Sequence, residues 1–414
     1  MDKLKRTSPA MKVILLFGII SLLGDLVYEG ARSANSQYFT LIGVSAAQIG
    51  LVFGLGEFLG YMLRLFAGIF SDKTGRHWAF MFAGYGMLLS VPLLGLTQNW
   101  NAIVVLVLME RIGKALRNPA KDTVLSGVAS GAGARKNASV GIGLAFGIQE
   151  ALDQLGAFGG PLIFTMVFFL VGDSPAPNDY QLGYRLLAIP FVLLLLFLSF
   201  ARREVERAQL LPEPSQTRQP NGQPLQPVFW VYTAFTFFAT IGLVNFSVVG
   251  YHLKSQGLFA DGHITLLYAA AMAVDALTAL ISGREYDRLK RRRGAKSGGL
   301  MLLGVIPIAT LALPWLTLSH VHWQIILGML IFGGILGLHE TIMRSAIADM
   351  TPYNKRGTGY GIFNAGYGLA LLGGAALMGW FYDLGRTDWI VTLAITAELV
   401  AMVVFFKLKA IAGR

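Results

Sequence analysis

Gly68-Ile69-Phe70-Ser71-Asp72-Lys73-Thr74-Gly75-Arg76-His77 stands between two apolar runs, at 46–71 and 78–97. Each run is long enough to cross a bilayer as a helix. Within ten residues this stretch holds a carboxylate, two bases and two glycines, so the chain turns here with its charges in water. Short charged turns between long apolar runs predict a polytopic membrane protein, and the pattern continues outward. Further runs occupy 12–36, 101–124, 139–170 and 183–201, then 228–253, 263–283, 297–317, 321–349, 358–382 and 387–408. The predicted fold class is an all-α membrane protein with twelve transmembrane helices.

Composition agrees with that reading. Of 414 residues, 54% are hydrophobic, only 14% are charged and 49 are glycine, a balance outside that of soluble domains. A soluble chain of this length would split into domains with helices of ordinary length. Cysteine is absent, which excludes disulfides, thiolate metal sites and cysteine nucleophiles. A net charge of +11 would suggest nucleic acid in a soluble protein. In a membrane protein it follows from Lys and Arg gathering in cytoplasmic loops, so no nucleic-acid partner is expected. Lys3, Lys5, Arg6 and Lys12 before the first run imitate a signal peptide. That run is too long for a signal core and contains Asp25 and Glu29, so it is the first spanning helix.

Counted from a cytoplasmic N-terminus, inward segments hold Lys73 and Arg76, then Lys121, Arg135 and Lys136, then Arg202, Arg203, Arg207 and Arg218. Further on they hold seven bases between Arg284 and Lys296, then Lys355 and Arg356, and finally Lys407, Lys409 and Arg414. Outward loops hold Lys254 and Arg386, with Arg185 at an edge. This asymmetry predicts that both termini are cytoplasmic. Residues 202–227 contain three early arginines and five prolines, the composition of a polar linker. The expected division is a six-helix bundle at 1–201, a cytoplasmic linker at 202–227 and a second six-helix bundle at 228–414.

The two halves repeat one another. Gly68, Asp72 and Lys73 after the second span correspond to Gly283, Asp287 and Arg288 after the eighth. Arg117 with Asp122 corresponds to Arg344 with Asp349, and each pair is followed by two bases and then a glycine, Gly141 or Gly361. Two matches in register argue for duplication, and so for bundles related by a pseudo-twofold axis along the membrane normal. At the first loop Gly68 permits close helix approach and Gly75 a tight turn. Asp72, Lys73 and Arg76, with Asp122, Asp287, Arg288 and Asp349, form a candidate charged latch.

Gly68, Asp72, Lys73, Gly75 and Arg76 resemble the loop signature of the major facilitator superfamily, with His77 where a base is usual and a degenerate second copy at Gly283. Gly156-Ala157-Phe158-Gly159-Gly160-Pro161 in the fifth span is similar to the glycine-rich motif of family members that work as proton-coupled exporters. The first span, Gly24 to Ser33, resembles bacterial members. The resemblance implies an inner-membrane transporter with two six-helix bundles, working by alternating access.

Ionisable residues inside spans carry the most information, since each costs roughly 2.5–3.5 kcal/mol on insertion scales and must face protein or water. The first half holds Asp25, Glu29, Arg32, Glu57, Arg64, Glu110, Arg111, Lys114, Arg117, Glu150 and Asp153; the second holds little beyond Asp275, Glu340 and Arg344. Asp25, Glu29 and Arg32 share one helix face, as do Glu57, Tyr61 and Arg64, and Glu110, Lys114 and Arg117. These stripes would line a cavity. Tyr360, Asn364 and Tyr367 repeat the spacing with neutral groups on the opposite wall. The candidate substrate-binding set is Arg32, Glu57, Arg111, Lys114, Tyr360, Asn364 and Tyr367.

The candidate proton-coupling set is Asp25, Glu29, Glu150 and Asp153. Asp25 ranks first, because Glu29 lies three residues from Arg32 and is the nearer permanent partner. His252, His263, His320 and His322 fall near span ends and read as interfacial, so no metal and no cofactor are expected. No Walker-type loop and no nucleophile with a base occur, so neither an enzyme nor an ATP-driven pump is predicted. Proton-coupled export of a small organic solute by a monomer in the lipid bilayer leads. Uptake or facilitated movement of an organic anion, suggested by Arg32, Arg111, Lys114 and Arg117, is the alternative, and a non-transporting sensor or scaffold is the alternative of a different class. A cysteine placed at Ser215 of this cysteine-free chain should react with an impermeant thiol reagent only from the cytoplasmic side. Labelling from the periplasm alone would overturn the topology.

Overall fold

The computed structural model describes residues 8–130, 140–172, 174–211, 225–293, 299–343, 345–346 and 356–412. Among them the chain makes twelve helical passes: α1 Pro9–Leu41, α2 Ala46–Thr74, α3 His77–Leu96, α4 Trp100–Ser130, α5 Ile142–Val171, α6 Pro177–Ala208, α7 Pro227–Ser255, α8 Asp261–Arg293, α9 Gly299–Thr317, α10 His322–Met343, α11 Arg356–Asp383 and α12 Thr387–Ala412. Eleven are apolar enough to cross a membrane on composition alone. The other is α4, whose 31 residues carry Glu110, Arg111, Lys114, Arg117, Lys121 and Asp122. It survives in the bundle because most of these charges turn inward. Side chains such as Leu170, Met166, Ile308 and Val403 instead stand exposed on the outer surface, where lipid replaces water.

Local rules set the ends. Ser45 caps α2 and pairs reciprocally with Gln48, and Gly75 takes a left-handed conformation (φ 65°) that ends the helix. The sixth pass is longer than the expected 183–201. Pro177 starts it and Asp179 bonds back to the Ala176 amide, while its far end runs through Arg202 and Arg203 to Ala208. The first residues of the expected linker are therefore helical, joined by an Arg202–Glu206 pair at 2.7 Å. Residues 212–224 lie outside the described residues, as does Asp349.

Packing repeats between the halves. In the first, α1 packs on α5 and α6, and α4 on α2 and α3; in the second, α7 packs on α11 and α12, and α10 on α8 and α9. The halves meet where α2 lies along α11 and α5 along α8, with α1 against α7 between them. Each contact maps onto its counterpart by the same exchange of halves, which is the pseudo-twofold relation expected of the duplication.

With an even number of passes both chain ends fall on one face, here called the terminal face, and the opposite one is the distal face. The distal side is sealed by close backbone approach. A Cβ at Gly50 would collide with the carbonyl oxygen of Ala375 on α11, and one at Gly379 of α11 with that of Ala46 on α2. Across the halves Thr165 and Thr265 share a hydrogen bond of 2.8 Å, and Ser36 packs against Gly250. Asp383, at the end of α11, accepts the amides of Ala46 and Ala47 at 2.9 Å each, so a carboxylate from one half caps a helix N-terminus of the other. Two charge-assisted bonds of this kind contribute about 1.5–3 kcal/mol each when well shielded and less at a wet surface. Asp383→Ala should loosen the distal seal while the protein stays folded. A cysteine at the buried Ser36 would then label faster from the distal side, and unchanged protection would show that Asp383 does not hold it.

Candidate functional site

A cavity of about 620 Å³ lies between the halves. Its floor lies near Leu243 and Asn245 of α7, Met272 of α8 and Phe332 of α10, and it reaches the terminal face at Asp72, Asp122 and Gly361. The distal side above it is closed by the contacts just described. Asp25, Glu29, Arg32, Glu57, Tyr61, Arg64, Arg111, Lys114, Glu150 and Asp153 from the first half all line it, as do Tyr360, Asn364 and Tyr367 from the second.

The first wall is built around Tyr28 and Glu57. Arg111, in the middle of α4, is buried; it reaches Glu57 Oε1 at 2.9 Å and donates a hydrogen bond to the Tyr28 hydroxyl. Glu110 Oε2 lies 3.2 Å from Arg111 Nε. Arg32 spans Glu29 at 3.5 Å and Glu57 at 3.7 Å. Lys114 Nζ sits 3.8 Å from the centre of the Tyr28 ring, a cation–π contact. Glu29 is held from across the interface as well, because Tyr268 of α8 donates to its Oε2 at 2.6 Å.

A second group lies nearer the terminal face. Asp25 of α1 and Asp153 of α5 both line the cavity as electrostatic neighbours, with Lys114 and Lys121 as nearby bases. Lys121, expected in an inward basic segment, is instead buried in α4 and donates to Ser21 at 3.0 Å. It lies one helical stretch before the end of α4, which runs on to Ser130. The Glu110, Lys114 and Arg117 stripe is divided by the structure. Lys114 lines the cavity, whereas Arg117 is buried against the Tyr85 ring at 5.0 Å.

On the opposite wall Tyr367 shares a hydrogen bond of 3.2 Å with His339 and makes an edge contact with Tyr61 of α2 at 5.0 Å. Of the latch residues, Asp72 and Asp122 line the cavity mouth, while Lys73 and Arg76 are exposed beside it. Arg288 pairs with Glu285 on its own helix at 3.0 Å, and the Asp287 side chain lies outside the described residues. His252, in the last turn of α7, is buried and bonded to Tyr382 at 2.9 Å and to the Ser319 carbonyl at 3.3 Å.

Sequence reasoning passed over Tyr28 and Tyr268, which look like ordinary aromatic residues of a span until their partners are known. It also passed over Glu398, a fully buried carboxylate in α12. The signal for Glu398 was present, since a lone charge in an apolar span is unusual.

The description of the Major Facilitator Superfamily matches residues 14–315 and 258–412. The chain belongs to that family. An uncharacterised protein of Mycobacterium tuberculosis is 36% identical over 420 residues, which is 99% of this chain and 96% of the relative. An uncharacterised MFS-type transporter of Methanocaldococcus jannaschii is 24% identical over 90% of this chain and 89% of its own. The crystal structure of the nucleoside transporter NupG superposes with a TM-score of 0.69 over 97% of this chain and 99% of its own, at 14% identity, a likeness of fold. The protein is thus a multi-pass membrane transporter of the major facilitator superfamily, not an enzyme.

Glu57 is the counter-ion on which this wall depends, because it faces two arginines at once. Glu57→Gln should lower the melting temperature of the purified transporter by the equivalent of about 3–5 kcal/mol, the usual result of stranding a buried charge. Replacing Arg111 by Gln in the same protein should recover part of that loss. An unchanged melting temperature in the single variant would show that the pair carries no structural weight.

Proposed function

We propose that this transporter exports a small organic solute across the bacterial inner membrane, working as a monomer and driven by protons that enter through Asp25 and Asp153. The observation that carries the reading is the approach of these two carboxyls within one cavity. Two carboxylates that are neighbours in a poorly hydrated cavity repel, and a proton on one of them removes the repulsion. Lys114 and Lys121 stand ready to take over as counter-ions when the proton leaves. Rocking of the halves would exchange those surroundings and bind and release the proton on opposite sides.

On this reading the terminal face is cytoplasmic, which agrees with its excess of Lys and Arg, and the cavity is open inward. Asp72, Lys73, Arg76 and Asp122, with Asp287, Arg288 and Asp349 in the second half, close the cytoplasmic mouth in the opposite state. Of these, Asp72 and Asp122 line the open mouth, which is compatible with that role. The glycine-rich Gly156–Pro161 stretch, in direct backbone contact with α1, supports placing the chain among exporters of similar motif.

Organic-anion transport is less well supported. Arg32 and Arg111 are already engaged by Glu29, Glu57 and Glu110, and Lys114 is stacked on Tyr28. Asp25→Asn should abolish solute movement driven by a pH gradient in proteoliposomes while permitting downhill exchange, since the amide has the shape of the protonated acid but releases no proton. Asp153→Asn should behave alike. Full gradient-driven transport with an unchanged pH profile in either variant would remove the pair from the coupling step.

A further inference from the structure

Helix α8 is longer than a membrane is thick. Its 33 residues extend about 50 Å at a rise of roughly 1.5 Å each, against about 30 Å of hydrocarbon and about 40–45 Å once the headgroup layers are added. Its distal end is marked by Asp261, paired with Lys254 at 2.6 Å. Arg284 falls about 35 Å further along the axis, at the depth where acyl chains give way to headgroups. From Arg284 to Arg292 the helix carries five bases and two acids.

The side of the helix on which those bases stand is informative. Met272 and Asp275 line the cavity, and Tyr286 packs against Gly299 at the start of α9, where a Cβ would strike its ring. The opposite side faces outward. Leu277, Leu280 and Ile281 are 60%, 53% and 61% exposed, and none of them borders the cavity. Leu277, Ile281, Arg284, Arg288 and Arg291 follow one another at the alternating spacings of four and three that keep to one helix face, with Arg292 beside them. All four arginines are exposed. Lipid covers the first members of this row, because they are apolar side chains exposed on a spanning helix. The same row turns basic one turn later, where the acyl chains end.

An excess of Lys and Arg on the cytoplasmic side orients any polytopic protein, but that bias does not depend on which side of a helix the bases occupy. Elsewhere on the terminal face bases are matched by nearby acids, Lys12 by Glu204 at 2.8 Å and Arg202 by Glu206 at 2.7 Å. On α8, Glu285 engages Arg288 at 3.0 Å. Among the described residues no carboxylate pairs with Arg284, Arg291 or Arg292. A guanidinium binds a phosphate through two parallel N–H donors, and its long stem carries the charge outward from a backbone position at the membrane edge.

We infer that the terminal end of α8 is a docking site for an anionic phospholipid, with its acyl chains along Leu277, Leu280 and Ile281 and its phosphate on Arg284, Arg291 and Arg292. Arg288, engaged by Glu285, is left to the latch. The site stands on the membrane fold and on the outward face of one helix, and is independent of the solute carried and of proton coupling.

The test titrates the purified full-length protein in a neutral detergent with four probes: phosphatidylglycerol, phosphatidylcholine with the same acyl chains, soluble glycerol phosphate and an oligoglutamate peptide. Native mass spectrometry and the melting temperature report binding. Phosphatidylglycerol should be retained and should raise the melting temperature, and the other three should do neither. Arg284→Gln, Arg291→Gln and Arg292→Gln combined should weaken phosphatidylglycerol binding roughly 100-fold, at about fivefold for each base removed from an anionic lipid surface. The corresponding Lys variants should keep most of it. Arg203→Gln, Lys407→Gln and Lys409→Gln combined remove the same charge from exposed positions of other helices and should leave binding within a few-fold. If the α8 triple variant unfolds, Arg284→Gln and Arg291→Gln alone should each lose roughly fivefold. Equal losses in the two triple variants would reduce the attraction to overall charge and overturn the site. Equal retention of the two lipids would do the same. Binding of glycerol phosphate or oligoglutamate as strong as that of phosphatidylglycerol would also overturn it, in favour of a soluble anion or an acidic protein.

Discussion

A charge that cannot reach water must meet its opposite, and this requirement fixes α1, α2 and α4 against one another. Arg111 is buried in the middle of α4, and Glu57 of α2 meets it at 2.9 Å while also facing Arg32 of α1. Each ion alone in lipid would oppose insertion by roughly 2.5–3.5 kcal/mol. Together they are tolerated, although a buried pair seldom stabilises more than apolar packing of the same volume would. The gain is geometric: the guanidinium and carboxylate accept few arrangements, so three helices and the Tyr28 side chain are held in one register.

That register determines the field inside the cavity. Asp25 with Asp153, and Asp275 with its acidic neighbours, line the same space. The first pair lies within one half and the second group bridges both.

The seal on the distal side is of another kind. Gly50 and Gly379 bring backbones together across the halves, and such close approach is the main source of helix association where lipid removes the hydrophobic drive. Asp383 adds a polar bond at the rim. Packing of small residues has little barrier to separation along its length, whereas the charged wall within the first half has no reason to part. The charged wall lies within the first half, and the distal contact between the halves is made by close backbone packing with a few polar bonds.

Much was legible from the chain alone. Length and apolarity located the spans. The charged turn after α2, the bias of Lys and Arg and the second copy at Gly283 and Asp287 indicated duplication, because each depends on residues close in sequence. Even α4, too charged to pass on hydropathy, was placed by its neighbours. The candidate residues Asp25, Glu29, Arg32, Glu57, Glu150 and Asp153 were found because a charge within a span needs a reason. Their pairing was not legible. Glu29 meets Tyr268 across 239 residues of sequence, and Asp25 neighbours Asp153 as well as bases; helical spacing says which residues share a face of one helix but not which face another helix presents. The same limit hid the burial of His252. Sequence alone determined the number of passes, the repeat and the presence of charges in the membrane, since these follow from local periodicity and transfer energies. Only the tertiary structure decided which charges neutralise each other and which are left facing the cavity, because that depends on how helices distant in sequence pack side by side.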